Sequence, residues 1–514
     1  MNLNLNPPQR DGRLRRQDAK YGGRVRDPLP FPNEPKPQVS PWSTGPPLDR
    51  YLPVELWHLI LSYPDILTED IRNLTLTSHF FHDIAQPLRF KSFSAGIIAF
   101  DDGTFYTDSF RRDKTDLRGR LEFVKSPTYV GTIRSVNIRV TTTKPYRLPK
   151  TNRINNISGE TIIDTLFSSF SSLFNLRRLR LTTLVFTREQ LSQISALPNL
   201  CKLHLDRCQL DQSVVEIPTM SLRKLSLDCC TQKPWWMPLL NPDTCTQLQL
   251  RSPDDCLAAF AAFKQDTREF AIEILRLDCD VVYSASRLDL VRMLSRMPGI
   301  KNVVLCYAAT YEIPVSHLMR QVTVLSSGVF RLLTSITAPE RLLGFFPRDS
   351  RLLVRCLVTT FKSSTTVSDI SHGFPSLETL ALLGPDNAWK SWSALRAPFS
   401  QLRKLKVLKL LYEKGVCNIE EVRPICEALR SYDLPPSLTE LHVGFDMVNT
   451  KTLQNAQNLT GYVTEDIISL RAKLPNLTHL LVLSQYHYVE WQSEPCSLSC
   501  YTRNGRHGKV TTSW

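Results

Sequence analysis

Apolar residues along this chain fall into two periodic regimes set between polar stretches. The first regime covers residues 51–93. There Leu56, Leu59, Ile60 and Tyr63 recur at spacings of three and four, which predicts a helix with one apolar face. Pro53 suits its first turn, Glu55 suits its positive end, and Pro64 with Asp65 stops it. A second helix is predicted from Thr68, with Ile71 and Leu74 on one side. Ser78 is placed to cap a third that carries Phe81, Ile84, Ala85 and Leu88. Three short helices have little core of their own, so this unit is expected to lean on a neighbour or a partner.

The second regime begins near residue 130. Its unit is L-x-x-L-x-L, and the fullest copy is Leu200, Leu203, Leu205, Cys208, Leu210. Copies starting at Leu176, Leu200, Leu222 and Cys245 are 24, 22 and 23 residues apart. Others start at Ile133, Ile272, Ile300, Leu377, Leu405, Leu438 and Leu477, with wider steps that fit longer returning segments such as a helix over 421–431. The phrases Leu197-Pro198-Asn199-Leu200 and Leu474-Pro475-Asn476-Leu477 recur just before the strand, where Pro ends the preceding helix. A period of 20–29 residues with this pattern marks leucine-rich repeats, each a short parallel strand with a return on the outside. The register breaks over 307–376, which leaves two degenerate repeats or an insertion open.

The expected fold is therefore α/β: an N-terminal three-helix unit (51–93), a connector (94–129) and a solenoid with a curved parallel sheet (130–492). A Pro-rich tail (1–50) and a C-terminal tail (493–514) flank them. Residues flanking the second and third leucines should line the concave face. In the early copies these are Arg178, Arg180, Lys202, His204, Asp206, Lys224 and Asp228. Later ones are Val304, Ala381, Leu383, Val407, Lys409, Leu411, His479 and Leu481. That ladder runs from basic to more apolar, which suits a protein-binding face.

Composition narrows the function. Lys and Arg number 63 against 49 Asp and Glu, a net charge of +14. The first fifty residues hold nine cations and five acids, and Tyr501 to Trp514 holds Arg503, Arg506 and Lys509 without an acid, so about half of the charge belongs to the tails. What remains is read as a protein-binding face rather than a nucleic-acid one, because no aromatic stacking motif accompanies the basic runs. Thirteen cysteines, with no secretory leader and no long apolar run, are read as reduced thiols of a cytoplasmic or nuclear protein. No phosphate-loop, dinucleotide, zinc-protease or nucleophile-elbow motif is present. Cys496 and Cys500 near His487 lack the second pair a zinc site needs, so no metal or other cofactor is expected.

The run Leu52-Pro53-Val54-Glu55-Leu56-Trp57-His58-Leu59-Ile60-Leu61, followed by Asp70-Ile71-Arg72-Asn73-Leu74-Thr75-Leu76-Thr77-Ser78-His79-Phe80-Phe81, resembles an F-box. The repeats that follow look like the partner-binding region of fungal-type F-box/leucine-rich-repeat proteins. Thr77 and Pro64 depart from the family pattern. The resemblance implies a non-catalytic substrate receptor of an SCF-type cullin-RING ubiquitin ligase. Its Skp-type adaptor, and through it a cullin, would dock on Leu52, Pro53, Leu56, Ile60 and Leu61, with Leu74, Ser78 and Phe81 completing the packing. The repeats would hold a protein substrate. The alternative is a repeat scaffold that works outside any ligase.

Overall fold

The structure, a computed structural model, describes residues 52–61, 68–99, 105–107, 130–142, 166–211, 216–230, 236–265, 268–279, 287–306, 328–360, 365–384, 399–412, 432–444, 469–483, 487–493, 497–502 and 510–513, with 126, 214 and 325 singly. The Pro-rich tail 1–50, the helix expected over 421–431 and most of the connector lie outside them. The chain divides into two compact units, 1–60 and 61–514.

The helices fall where the pattern predicts: α1 (Val54–Leu61), α2 (Thr68–Leu74) and α3 (His79–Arg89). Ser78 caps α3, its hydroxyl accepting from Phe81 N–H at 3.2 Å. Within the second unit α2 and α3 pack together, with Ile71, Ile84 and Ala85 buried.

The strands that follow are β1 (Ser92–Ala99), β2 (Phe105–Thr107), β3 (Ser135–Thr142), β4 (Arg178–Thr182), β5 (Val185–Phe186), β6 (Lys202–Asp206), β7 (Gln209–Leu210), β8 (Lys224–Asp228), β9 (Gln247–Leu250) and β10 (Ile274–Asp278). Next come β11 (Asn302–Cys306), β12 (Ser335–Ala338), β13 (Cys356–Thr360), β14 (Thr379–Gly384), β15 (Val407–Tyr412), β16 (Glu440–Gly444) and β17 (His479–Leu483). The last three are β18 (His487–Gln492), β19 (Ser497–Thr502) and β20 (Val510–Ser513). From β1 through β17 the main sheet is parallel and follows the chain, except that β2 pairs antiparallel with β1 and that β5 and β7 pair separately.

The register explains why the leucines recur. Leu179, Leu203, Leu225 and Leu248 align as direct neighbours, as do Leu181, Leu205, Leu227 and Leu250. All eight are buried, together with the first residue of each copy, Leu176, Leu200, Leu222 and Cys245. One repeat cannot bury such a face alone; stacking buries it against the next, each leucine contributing about 1.5–3 kcal/mol. A backbone ladder locks the steps together. Arg177 C=O accepts from Cys201 and Lys202 N–H, Cys201 C=O from Arg223 and Lys224, and Arg223 C=O from Thr246 and Gln247. The same paired acceptance continues to Thr439 C=O, which takes Thr478 and His479 N–H. The recurring asparagine has a role as well: Asn199 and Asn476 donate side-chain N–H to Phe174 and Pro436 carbonyls of the preceding repeat.

Three boundaries differ from the sequence-based expectation. The sheet starts at Ser92, not near 130, because Phe93 and Ala95 fill the leucine positions in register with Val136 and Ile138. Among its described residues, the irregular region holds two degenerate repeats. Leu333, Ile336 and Ala338 form one; Val354, Leu357 and Thr359 form the other, and their strands continue the parallel register. The segment expected as a loose tail after 492 instead supplies β19 and β20. They extend an antiparallel closure begun by β18, where Trp491 pairs with Leu480 and is buried. Antiparallel strands here cover the last parallel edge, which would otherwise expose unpaired backbone groups.

Candidate protein-binding face of the repeats

Strands β4 to β10 place their outward residues in columns that run across the sheet, successive members about 4.8 Å apart. One column is Arg178, Lys202, Lys224, Gln247; the next is Arg180, His204, Ser226, Gln249, Arg276; the third is Thr182, Asp206, Asp228. The structure thus brings together the early concave residues expected from sequence. It adds Arg251 and Arg276, which the sequence pattern did not single out. With its carbonyl turned toward the guanidinium groups, Gln249 accepts from Arg251 and Arg276.

Cations outnumber acids on this surface. Asp206 pairs with Arg207 at 3.2 Å and Asp228 with Arg251 at 3.8 Å. His204 Nδ1 meets Ser226 Oγ at 2.8 Å, while its Nε2 and the Nε of Arg180 are buried without a hydrogen-bond partner among the described residues. Burial, with Arg180 and Arg251 nearby, pushes the His204 imidazole down to about 4, so it stays neutral. Burial, then Lys202, Arg251 and Arg276, also lowers the Lys224 ammonium. Burial and the neighbouring Asp206 raise the Asp228 carboxyl despite Arg251. Such a surface can accept an anionic group that desolvates little and pairs with several donors.

The cysteines sit as the repeat predicts. Cys208 and Cys230 are buried, their thiols donating weakly to Leu181 and Leu205 carbonyls. Burial pushes the Cys245 thiol up to about 11, and partial burial beside Asp228 does the same to Cys229. Neither residue is poised as a thiolate.

Toward the C-terminal end the central column becomes Val304, Thr337, Val358, Ala381, Lys409, His442 and Leu481. Lys409 therefore stands between Ala381 and His442, apart from the basic cluster. The neighbouring outward column ends in Glu440 and His479.

In the helical segments, Pro53, Leu56 and Ile60 are exposed, Leu52, Leu74 and Phe81 are half-buried, and Ser78 is occupied in its cap. Leu61 is only 3% exposed, so it serves internal packing rather than an apolar surface. Leu59 and Leu76, which the pattern did not single out as contact residues, are 70% and 79% exposed.

No family profile and no curated protein matches the sequence. Solved structures similar to it include the leucine-rich repeat-containing protein LegL7 of Legionella pneumophila, 12% identical over 44% of this chain and 87% of that one, with a TM-score of 0.26. Another is an internalin, InlF, of Listeria monocytogenes, 11% identical over 85% and 89%, with a TM-score of 0.19. Likenesses this distant add no weight to the strand register, which by itself defines a leucine-rich-repeat solenoid. That architecture is suited to protein interaction.

Proposed function

We propose that the chain is a substrate receptor of an SCF-type cullin-RING ubiquitin ligase, acting in the cytoplasm or nucleus and performing no covalent step itself. A Skp-type adaptor docks on the N-terminal helices, and the concave repeat face holds a protein substrate. Holding a substrate lysine near a ubiquitin-loaded enzyme raises its effective concentration, so the mechanism is positioning.

The observation that carries the reading is the exposure of Leu56, Leu59 and Ile60 on α1, a helix whose sequence resembles the first part of an F-box. Exposed aliphatic side chains clustered on one short helix are a reason to expect a partner. The excess of Arg178, Arg180, Lys202 and Lys224 over Asp206 and Asp228 favours a substrate with an acidic segment. The test is co-purification of the full chain with a Skp-type adaptor. The wild type should retain adaptor and cullin, and a Leu52→Ala, Pro53→Ala double variant should lose both while keeping its repeats folded. Adaptor binding without cullin or substrate turnover would favour a non-ligase scaffold. Undiminished adaptor binding by the double variant would overturn the residue assignment.

A further inference from the structure

At the C-terminal end of the concave face, parallel strands β16 and β17 set Glu440 directly beside His479, with His442 two residues along on the same side. One donor atom from each of these three residues lies within 4.8 Å of the other two. The two imidazoles stand edge to face with centroids 5.3 Å apart. His442 Nε2 is buried 3.4 Å from Glu440 Oε2, and among the described residues it has no hydrogen-bond partner of good geometry. His479 Nε2 meets Glu490 Oε1, from β18, at 3.0 Å, and Gln492 donates to the same oxygen at 2.9 Å.

A histidine pair beside carboxylates, with one imidazole nitrogen buried and unsatisfied, needs a reason, because an unpaired buried polar atom is costly. A cation supplies one. Bonds of about 2.0–2.2 Å place two donors of a tetrahedral zinc site about 3.4 Å apart, close to the separation of His442 and Glu440. Two imidazoles and a carboxylate select a borderline transition metal over magnesium or calcium, which prefer all-oxygen sites.

We propose that Glu440, His442 and His479 bind one divalent transition-metal ion of the zinc class, with Glu490 orienting His479. Three protein donors leave a coordination position open on the face that receives a partner. The site ties the last parallel strands to the antiparallel closure and offers a bound protein's carboxylate or imidazole a fourth position. It stands independently of the ligase reading.

The test uses the full chain, stripped by chelator and titrated with zinc in a calorimeter. One equivalent should bind the wild type. His442→Gln and His479→Gln should abolish that binding, and Glu490→Gln should weaken it about ten- to a hundredfold, as loss of an orienting carboxylate does. Cobalt(II) as a second probe should give a visible spectrum without a thiolate charge-transfer band, which separates this site from any built on cysteines. Circular dichroism establishes that each variant is folded; if one histidine variant is not, Glu440→Gln and the other variant decide. Absence of a stoichiometric site, equal binding by the variants, or a thiolate band would each overturn the proposal and leave a hydrogen-bonded histidine–glutamate ladder only.

Discussion

Asp255 is fully buried at the start of the helix Pro253–Gln265 and joins two repeats. Its Oδ1 accepts from Cys230 N–H at 2.8 Å, its Oδ2 from the Ser252 hydroxyl at 2.7 Å, and its own N–H donates to Ser252 Oγ at 3.1 Å. Asp255→Ala leaves two donors without their acceptor inside the protein, since Cys230 and Ser252 are themselves buried. Each unsatisfied group costs about 1–3 kcal/mol, and release of a buried carboxyl offsets part, so the net loss is about 2–4 kcal/mol. Asp255→Asn keeps a carbonyl for Cys230 and an N–H that the Ser252 oxygen can accept, so it should cost about 1 kcal/mol or less. Burial raises the Asp255 carboxyl above its ordinary range. A raised carboxylate favours the fold below its unfolded value, and that contribution is lost as pH rises through the folded value. The Asn variant, which cannot ionise, should therefore gain on the wild type as pH rises above the unfolded carboxyl's value of about 4. Denaturant midpoints give the global effect, and hydrogen exchange at the Cys230 amide gives the local one. Equal losses for Ala and Asn, or unchanged exchange at Cys230 in the Ala variant, would refute the assigned role.

Four further outcomes follow from the same structure. Leu205→Ala, in the buried central column, should cost about 3–5 kcal/mol by denaturant unfolding, because stacked neighbours on both sides cannot collapse into the cavity. Thr183, a β-branched residue held at φ 58°, should tolerate Gly with a gain of up to about 1 kcal/mol in the same assay. His204, pushed down to about 4, withholds a proton that the unfolded chain binds near 6.5, so stability should fall as pH drops between those values. Solvent screening of this partly exposed ring reduces the effect to about 1–2 kcal/mol, and His204→Gln should flatten the slope. Arg180→Glu with Lys224→Glu should weaken capture of a synthetic acidic peptide at least about tenfold and reduce its salt dependence.

Much of the solenoid is legible because a leucine that must be buried at every step leaves a repeating mark. The same rule predicts which residues point outward, and the columns of Arg178, Lys202 and Lys224 follow from it. Legibility fails where smaller or β-branched residues do the leucine's work, as Ala338 and Thr359 do in the two degenerate repeats. It fails again at β1, where phenylalanine and alanine open the sheet, and at β18 to β20, where an antiparallel closure has no leucine period. Asp255 reads in sequence as an ordinary acid in a first helical turn; only the packed return path shows that it is buried. Glu440 and His442 flank Leu441 as the early basic residues flank theirs, but their approach to His479 depends on pairing across a 39-residue step.

The adaptor claim is tested most directly by titrating the purified full chain with a purified Skp-type adaptor in a calorimeter, alongside Leu56→Lys and Leu59→Lys variants. A one-to-one complex that both lysine variants abolish, with circular dichroism unchanged, is the predicted result. No heat of binding at micromolar adaptor, or equal binding by the wild type and both variants, would contradict it.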